Sequence, residues 1–411
     1  MKFDVFFSIC QTEVDGYMPS EKTMFENFFE QIELADELGY EVGWVAETHL
    51  SCQVQKENEK PVIPLFKGEI GLNTDILQVA HKVFARTKNI HIGSAIRNIL
   101  CNGGPLAHAE SVRTFLALHG LDPAEKRKLH LGFAAGRFPF SNSPYGIVPR
   151  SQTEEVAWPV VKGKIFHEAT EIFLRALRGE KFSSRDIATR KMVRSDFRTD
   201  DEWQRAFKVY KDEFKLSGDG DVILLPGRWS FEKVGLIPQD VSLDNLELTI
   251  GSHDPAVQAL ANQFLPCGVF NLSITPGSEI EQTHARMKSE YHSAGGQWRR
   301  ELMPRTVLVY LNNDPNLSIE ERRKKAEGDA RRAHENYWRA MEGTIDSGKV
   351  EKATQNTLWG DPEMVLKKLK EKYNAEDRLM LWFDFNNHDN VAVKKNMRLF
   401  AEHVRPELIN G

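Results

Sequence analysis

The sequence lacks the surplus positive charge, the long apolar runs and the paired cysteines that would assign it to several large classes of protein. Lys and Arg total 54 against 59 Asp and Glu, a formal net charge of −5, so there is no basic excess of the kind that binding a phosphate backbone draws on. Nucleic acid is not an expected partner. No apolar run approaches the roughly 18 to 20 residues of a membrane span. The apolar stretch in MKFDVFFSIC contains Asp4 and is followed by QTEVDG, which is not signal-peptide architecture; a cytoplasmic protein with no membrane partner is expected. Cys10, Cys52, Cys101 and Cys267 stand singly, with no CxxC pair and no histidine at ligand spacing. Neither a disulfide framework nor a zinc site is expected.

Catalytic signatures are missing as well. The chain contains no GxxxxGK[ST] phosphate loop, no GxSxG nucleophile elbow, no HExxH and no GxGxxG after a strand, and no His and carboxylate set at metal spacing. Without a metal or an activated nucleophile, redox work would have to borrow its reactivity from an organic cofactor.

What is present is an alternation of short β-branched or aromatic runs with longer amphipathic stretches, the pattern of βα units closing on a parallel sheet. With 41 % hydrophobic residues over 411 positions, the chain can bury the core of one large α/β barrel or of two ordinary domains. Eight strands are read: KFDVFFSI from Lys2, EVGWVAE from Glu41, NIHIGSAI from Asn89, KLHLGFA from Lys128, LELTIGS from Leu246, GVFNLSI from Gly268, TVLVYL from Thr306 and RLMLWFDF from Arg378. Eight is the barrel number, and a single (β/α)₈ domain over 1–411 is the expected architecture. Phe25, Phe28, Phe29, Ile32, Ala35 and Leu38 share a helix face that Gly39 ends. SIEERRKKAEGDARRAHENYWRAMEG reads as a charged surface helix, and Asp361 before Pro362 as an N-cap.

Two connections exceed the usual two to six or so residues. One, Leu50 to Asn73, follows the second strand. The other, an insertion at about 183–221, follows the helix after the fourth strand. Trp203, Phe207, Tyr210 and Phe214 recur within it at helical spacing, so an extra amphipathic helix is expected to pack over the barrel, where insertions often serve as lids.

In a barrel of this kind chemistry sits where strands end. The stretch Gly132 to Arg137 offers either an anion site, with small residues admitting a phosphate to backbone N–H groups and Arg137 adding a charged fork, or a tight turn with a surface arginine. Gly251-Ser252, ahead of DPAVQALA, offers a hydroxyl beside a helix N-terminus for an anion, or an ordinary cap. His49 at the end of the second strand can exchange a proton near neutral pH, with Glu47 orienting it, or can be structural. Because strand residues two apart point the same way, Glu47 and His49 are expected to face the barrel mouth and Thr48 the helical layer. Asp384 and His388 are a further candidate pair, or else Asp384 bonds backbone at the mouth and His388 begins the last helix. Phe138, Phe140, Trp229 and Trp382 would suit an apolar substrate pocket or core packing.

Taken in order, these pieces resemble the bacterial-luciferase-like flavin monooxygenases. The matching text is WVAETHL from Trp44, similar to that family's W-x-x-E-H-H, then NIHIGSAI, GPLAHAESVRTFLALHG from Gly104, LHLGFAAGRF from Leu129, FHEATEIFLRAL from Phe166, LELTIGSHDPAVQALA from Leu246 and, near the end, DPEMVLKKLKE, LWFDF and LFAEHVRPEL. The match spans nearly the whole chain. It implies a (β/α)₈ barrel using reduced FMN, delivered by a separate flavin reductase, and O₂ to oxygenate a small organic substrate through a flavin C4a-peroxide. It further implies a homodimer, with catalytic His49 and Glu47, Ala95 and Ile96 behind the isoalloxazine ring, and Asn98, Gly136, Arg137 and Ser252 among the cofactor contacts. Three positions depart from the family. Thr48 replaces the first histidine of E-H-H, Gly104-Pro105 stands where relatives carry His-Pro, and Ala134 takes the place of the light-emitting members' reactive cysteine. Relatives of the same fold use deazaflavin F420 for hydride transfer, for which Arg97, Arg137 and Arg228 are the candidate cations, and a non-catalytic flavin-binding protein is a third reading.

Overall fold

The computed structural model of the protein describes residues 1–217 and 220–409. Its strands are β1 (Lys2–Phe7), β2 (Val42–Val45), β3 (His91–Asn98), β4 (Leu129–Ala134), β5 (Arg190–Val193), β6 (Val222–Leu225), β7 (Leu246–Ile250), β8 (Cys267–Val269), β9 (Arg305–Leu311), β10 (Leu358–Gly360) and β11 (Arg378–Trp382). Nine of them form a parallel sheet in the order β10-β9-β11-β1-β2-β3-β4-β7-β8. A parallel bridge from Asn271 to Arg305 joins the end of β8 to the start of β9 and closes eight strands into a barrel. The ninth, β10, lies alongside β9, pairing Leu358 with Val309. The eight barrel strands are those expected from the sequence.

Alternation along each strand decides what faces inward. On β1, Phe3, Val5 and Phe7 join the large outer core with Phe28 and Phe29 of helix Glu21–Glu37, while Phe6 joins an inner cluster with Val42, Trp44, Phe270 and Met380. The Trp44 ring crosses the interior because its register partner on β3 is Gly93, where a Cβ would lie 2.6 Å from the indole. Its Nε1 donates to Asp4 Oδ2 at 2.8 Å, and Arg378 pairs with the same carboxylate at 2.9 Å. Below Trp44 the barrel is filled by polar groups. His91 Nδ1 and His130 Nε2 are 2.9 Å apart, and Glu247 lies 3.4 Å from His130 Nδ1.

The insertion holds the antiparallel pair β5–β6 and helix Asp200–Phe214. Trp203 and Ala206 are its buried residues, with Phe207 and Tyr210 partly buried against the core. Glu213 accepts from the Thr153 N–H and hydroxyl, and Arg190 pairs with Glu171 of helix Trp158–Leu177. These contacts pack the layer on the short helix Gln152–Val156 and on helix Trp158–Leu177, both after β4. The reason is local: an amphipathic helix buries its aromatic stripe against the nearest apolar face, here that of its own neighbours in sequence.

Burial drives the His130 imidazole down to about 3, so it is neutral in the fold and takes up a proton on unfolding in acid. Its contribution to stability is therefore present above the unfolded value of about 6.5 and is lost as pH falls from there toward 3, at about 1.4 kcal/mol per pH unit. Urea unfolding between pH 7 and 4 should show a shallower loss for His130→Gln than for wild type, and equal slopes would place the proton elsewhere.

Candidate functional site

The C-terminal ends of the strands form a mouth with two unlike sides. Following the inward positions upward, β2 gives Ala46, β3 gives Ala95 and Ile96, β4 gives Ala134 and β7 runs into Gly251. Ala46, Ala95 and Ile96 pack on the inner cluster around Trp44. The Ala95–Ile96 peptide is cis, and the β3–β4 register shifts between Ser94 and Arg97. A Cβ on Gly251 would meet Ile96 Cδ1 at 2.5 Å and Ala134 Cβ at 3.2 Å, so this side is a bed of small groups with no room for more. Facing it, β9, β11 and β1 present Tyr310, Trp382, Asp384 and Ser8.

A rim encloses the mouth. Cys52, Ile63 and Phe66 of the long connection after β2 cluster with Phe138 and Phe140 after β4 and with Ala340 and Met341 of helix Ile319–Glu342. Phe138 and Phe140 stack at 5.7 Å. Backbone bonds from Gln11 to Glu69 and from Leu72 to Ile9 tie the connection to the chain after β1. The charged helix read from sequence as a surface element thus supplies part of the enclosure through its last turns.

The residues singled out from sequence fall into three groups. Ala95 and Ile96 lie in the bed. Arg137 is exposed on the rim, its guanidinium 3.5 Å from the Tyr337 hydroxyl and 5.5 Å from the Phe138 ring centroid, with no carboxylate partner among the described residues. Gly136 has φ +77°, and a Cβ there would collide with Asn98 Nδ2. Ser252 follows the bed on β7 and accepts the Asp254 N–H at 3.2 Å.

The third group sits elsewhere than expected. Asn98 has its carboxamide committed, donating to Asn142 Oδ1 at 2.6 Å and accepting from Leu100 N at 3.0 Å; it clamps the β3 and β4 loops together. The helix N-terminus beside Ser252 is filled by Asp254, whose carboxylate accepts from Ala256 N and lies 2.7 Å from His167. Glu47 and His49 share a side, as strand alternation requires, but it is the helix side: Val45 already points into the outer core, and Trp44 and Ala46 point inward. Glu47 Oε2 accepts from Ile76 N at 3.2 Å and lies 3.8 Å from Arg97, while His49 is buried with Nε2 3.5 Å from Glu47 Oε1. Arg97 also pairs with Asp75 at 3.2 Å and donates to His108 at 2.8 Å. Burial, with that guanidinium beside it, holds His108 down to about 3. The expectation that Glu47 and His49 face the mouth therefore does not match their partners, Ile76, Arg97 and each other, which lie on the helix side.

Sequence reasoning missed Ser8, Tyr310 and Tyr337. Ser8 and Tyr310 were legible in principle as the inward positions at the ends of β1 and β9. Asp384 lies at the mouth bonding backbone, accepting the Ser8 N–H at 2.9 Å, and His388 precedes helix Asn390–His403 with Nε2 2.5 Å from the Thr12 carbonyl. No group of three His, Cys, Asp or Glu side chains that could hold a metal ion occurs among the described residues.

No protein-family model and no curated protein sequence matches the chain. Solved structures do. The monooxygenase RslO1 from Streptomyces bottropensis aligns with a TM-score of 0.66 at 19 % identity, covering 99 % of this chain and 99 % of that one. The oxygenating constituent of the 3,6-diketocamphane monooxygenase of Pseudomonas putida, a type II Baeyer-Villiger enzyme in complex with FMN, aligns at 0.58 and 13 % identity, covering 99 % and 98 %. An F420-dependent secondary alcohol dehydrogenase aligns at 0.50 and 13 %, covering 98 % of each chain. The fold shared with these enzymes is the (β/α)₈ barrel that the sequence resemblance implied.

Glu47 supports the wall behind the bed by holding Ile76 N and Arg97 where no solvent reaches. Removing one member of such a buried pair costs about 3 to 5 kcal/mol. Urea denaturation of Glu47→Ala should show a loss of that size; a loss below about 1 kcal/mol would mean that the carboxylate is not a support.

Proposed function

We propose that this chain is a flavin-dependent monooxygenase that takes reduced FMN and O₂ and oxygenates a small organic substrate, the reduced flavin coming from a separate reductase. The observation that carries the proposal is the bed of Ala46, Ala95, Ile96, Ala134 and Gly251, an apolar surface of small groups opposite a polar and aromatic wall at the strand ends. A planar tricyclic ring needs such a surface, and a Cβ at Gly251 would already compete with Ile96 for space. Reduced FMN, when bound, would supply the electrons that activate O₂. Arg137 and Ser252, at the ends of the adjacent strands β4 and β7, would hold its phosphate through a charged fork and a hydroxyl. The rim of Phe66, Phe138, Phe140 and Met341 would keep bulk water from the reacting atoms. Glu47 and His49 would act as positioning residues behind β3, and Gly136 and Asn98 would shape the loop that carries Arg137.

The cations favour FMN over deazaflavin, whose longer anionic tail asks for more of them. Arg97 is spent on Glu47 and Asp75, and Arg228 pairs with Glu154 at 2.9 Å, which leaves Arg137. No described helix is long and apolar enough to cross a membrane, and the proposal has the enzyme working in the cytoplasm as a homodimer.

Anaerobic titration tests this. Photoreduced FMN should bind more tightly than oxidised FMN, and Arg137→Ala should weaken FMN by about 1.5 to 3 kcal/mol while changing riboflavin little, the range for a hydrogen bond to a charged group. Equal losses for both flavins would remove Arg137 from the phosphate, and no flavin binding at all would sink the proposal.

A further inference from the structure

Asp384 has no part in the reading given so far, and its surroundings are unusual for a buried carboxyl. It lies at the end of β11 on the inward side, two residues beyond Trp382, and it is 7 % exposed. Oδ2 accepts the Ser8 N–H at 2.9 Å, Oδ1 lies 3.2 Å from Ser8 Oγ, and Trp382 Nε1 donates to Ser8 Oγ at 2.7 Å. No cation is among its partners in the described residues, whereas Asp4, deeper in the same barrel, has Arg378.

Hydrogen-bond accounting gives this triad two states. An indole N–H can only donate, so Trp382 permanently fills one lone pair of Ser8 Oγ. When Asp384 is a carboxylate it can only accept, and the Ser8 hydroxyl hydrogen must point at it. When Asp384 is protonated, its O–H fills the second Ser8 lone pair, and the Ser8 hydrogen is released toward the mouth. We propose that Ser8 is a proton donor to an anionic oxygen held in the barrel mouth, armed by protonation of Asp384. In the transfer, the Ser8 O–H bond breaks as the reactant's O–H bond forms, and the Asp384 O–H bond breaks to restore the Ser8 hydroxyl. One proton passes from Asp384 to the reactant, no electrons change hands, and water later reprotonates the carboxylate. Ser8 is the catalytic residue and Asp384 the positioning one.

Burial raises the Asp384 carboxyl to about 6, against the lowering effect of the Ser8 donors, which puts the two states within reach of neutral pH. The other titratable groups facing it stay neutral there. Burial pushes up the Cys10 thiol after β1 and the Tyr310 phenol of β9. Asp329 and Arg332 of helix Ile319–Glu342 stand behind Tyr310, and His388 turns to the Thr12 carbonyl. This donor also answers a gap in the chain, since Thr48 stands where the resemblance has a histidine.

The oxygen chemistry rests on the flavin proposal, while the switch does not, and two measurements separate them. In the protein alone, the infrared difference between wild type and Asp384→Asn should contain a protonated-carboxyl band that disappears with a midpoint near pH 6; no titrating band between pH 5 and 7 overturns the switch. With photoreduced FMN and O₂, the rate of flavin reoxidation by wild type should fall about a hundredfold from pH 5 to 8 if only the armed form donates. Asp384→Asn keeps an acceptor for the Ser8 N–H and a donor for Ser8 Oγ but has no proton to relay, so it should be slow at every pH and show no limb. Ser8→Ala should be slow at pH 5 and lack the limb, and Ser8→Thr should restore it. A pH limb that survives in Ser8→Ala or Asp384→Asn overturns the donor role. A titrating carboxyl in a protein that binds no flavin leaves the switch standing and removes the flavin reading.

Discussion

Everything above the barrel floor depends on the Trp44 indole lying across the interior against a residue with no side chain. Gly93 makes the approach possible, Asp4 holds the indole N–H, and Phe6, Phe270 and Met380 close around the ring. A packed interior of this density leaves no channel, so the polar layer of His91, His130 and Glu247 is sealed below and the small residues of the next layer become a floor. The orientation of Trp44 also sets the phase of β2: Ala46 follows it inward, and Val45 lies on the other side, where Glu47 and His49 find their partners.

That phase explains how much of the molecule could be read from sequence. The eight barrel strands were legible because each is a short β-branched or aromatic run between turn signals, and parallel strands buried on both faces read as continuous apolar runs. The same property hid the direction of each side chain, since a strand that is apolar on both faces carries no alternation to read. Glu47 and His49 were assigned to the mouth for that reason, although the sequence placed them two apart on one side as the structure has them. Asn98 and the helix N-terminus after Ser252 were hidden for another reason: the sequence leaves open whether that terminus is an anion site or an ordinary cap, and it does not show that Asn142 takes up the Asn98 carboxamide or that Asp254 supplies the cap. The β5–β6 layer was recognisable as an insertion, but nothing in its aromatic stripe said which face of the barrel it would cover.

The mouth is asymmetric, and the asymmetry divides the chemistry. On one side the backbone approaches closely and offers shape without functional groups. On the other, Ser8, Trp382, Asp384 and Tyr310 offer hydrogen bonds, and the Asp384 carboxyl is kept without a counter-cation, a costly arrangement for a group with no task beyond holding one backbone N–H. The rim joins segments far apart in sequence, after β1, β2 and β4 and at the end of the 24-residue helix Ile319–Glu342, so the enclosure depends on the closed barrel and on no single insertion.

In the proposed function, the bed of small residues is the surface on which a flavin ring lies. An anaerobic titration of reduced riboflavin, which lacks the phosphate, into wild type and into folded Gly251→Val is the decisive measurement, because the added side chain must displace Ile96 and crowd Ala134, while a ligand without a phosphate makes no use of Arg137 or Ser252. Wild type should bind it, and Gly251→Val should lose affinity by a hundredfold or so, about 2.7 kcal/mol, with the circular dichroism spectrum unchanged. Equal affinity in the two proteins would contradict it.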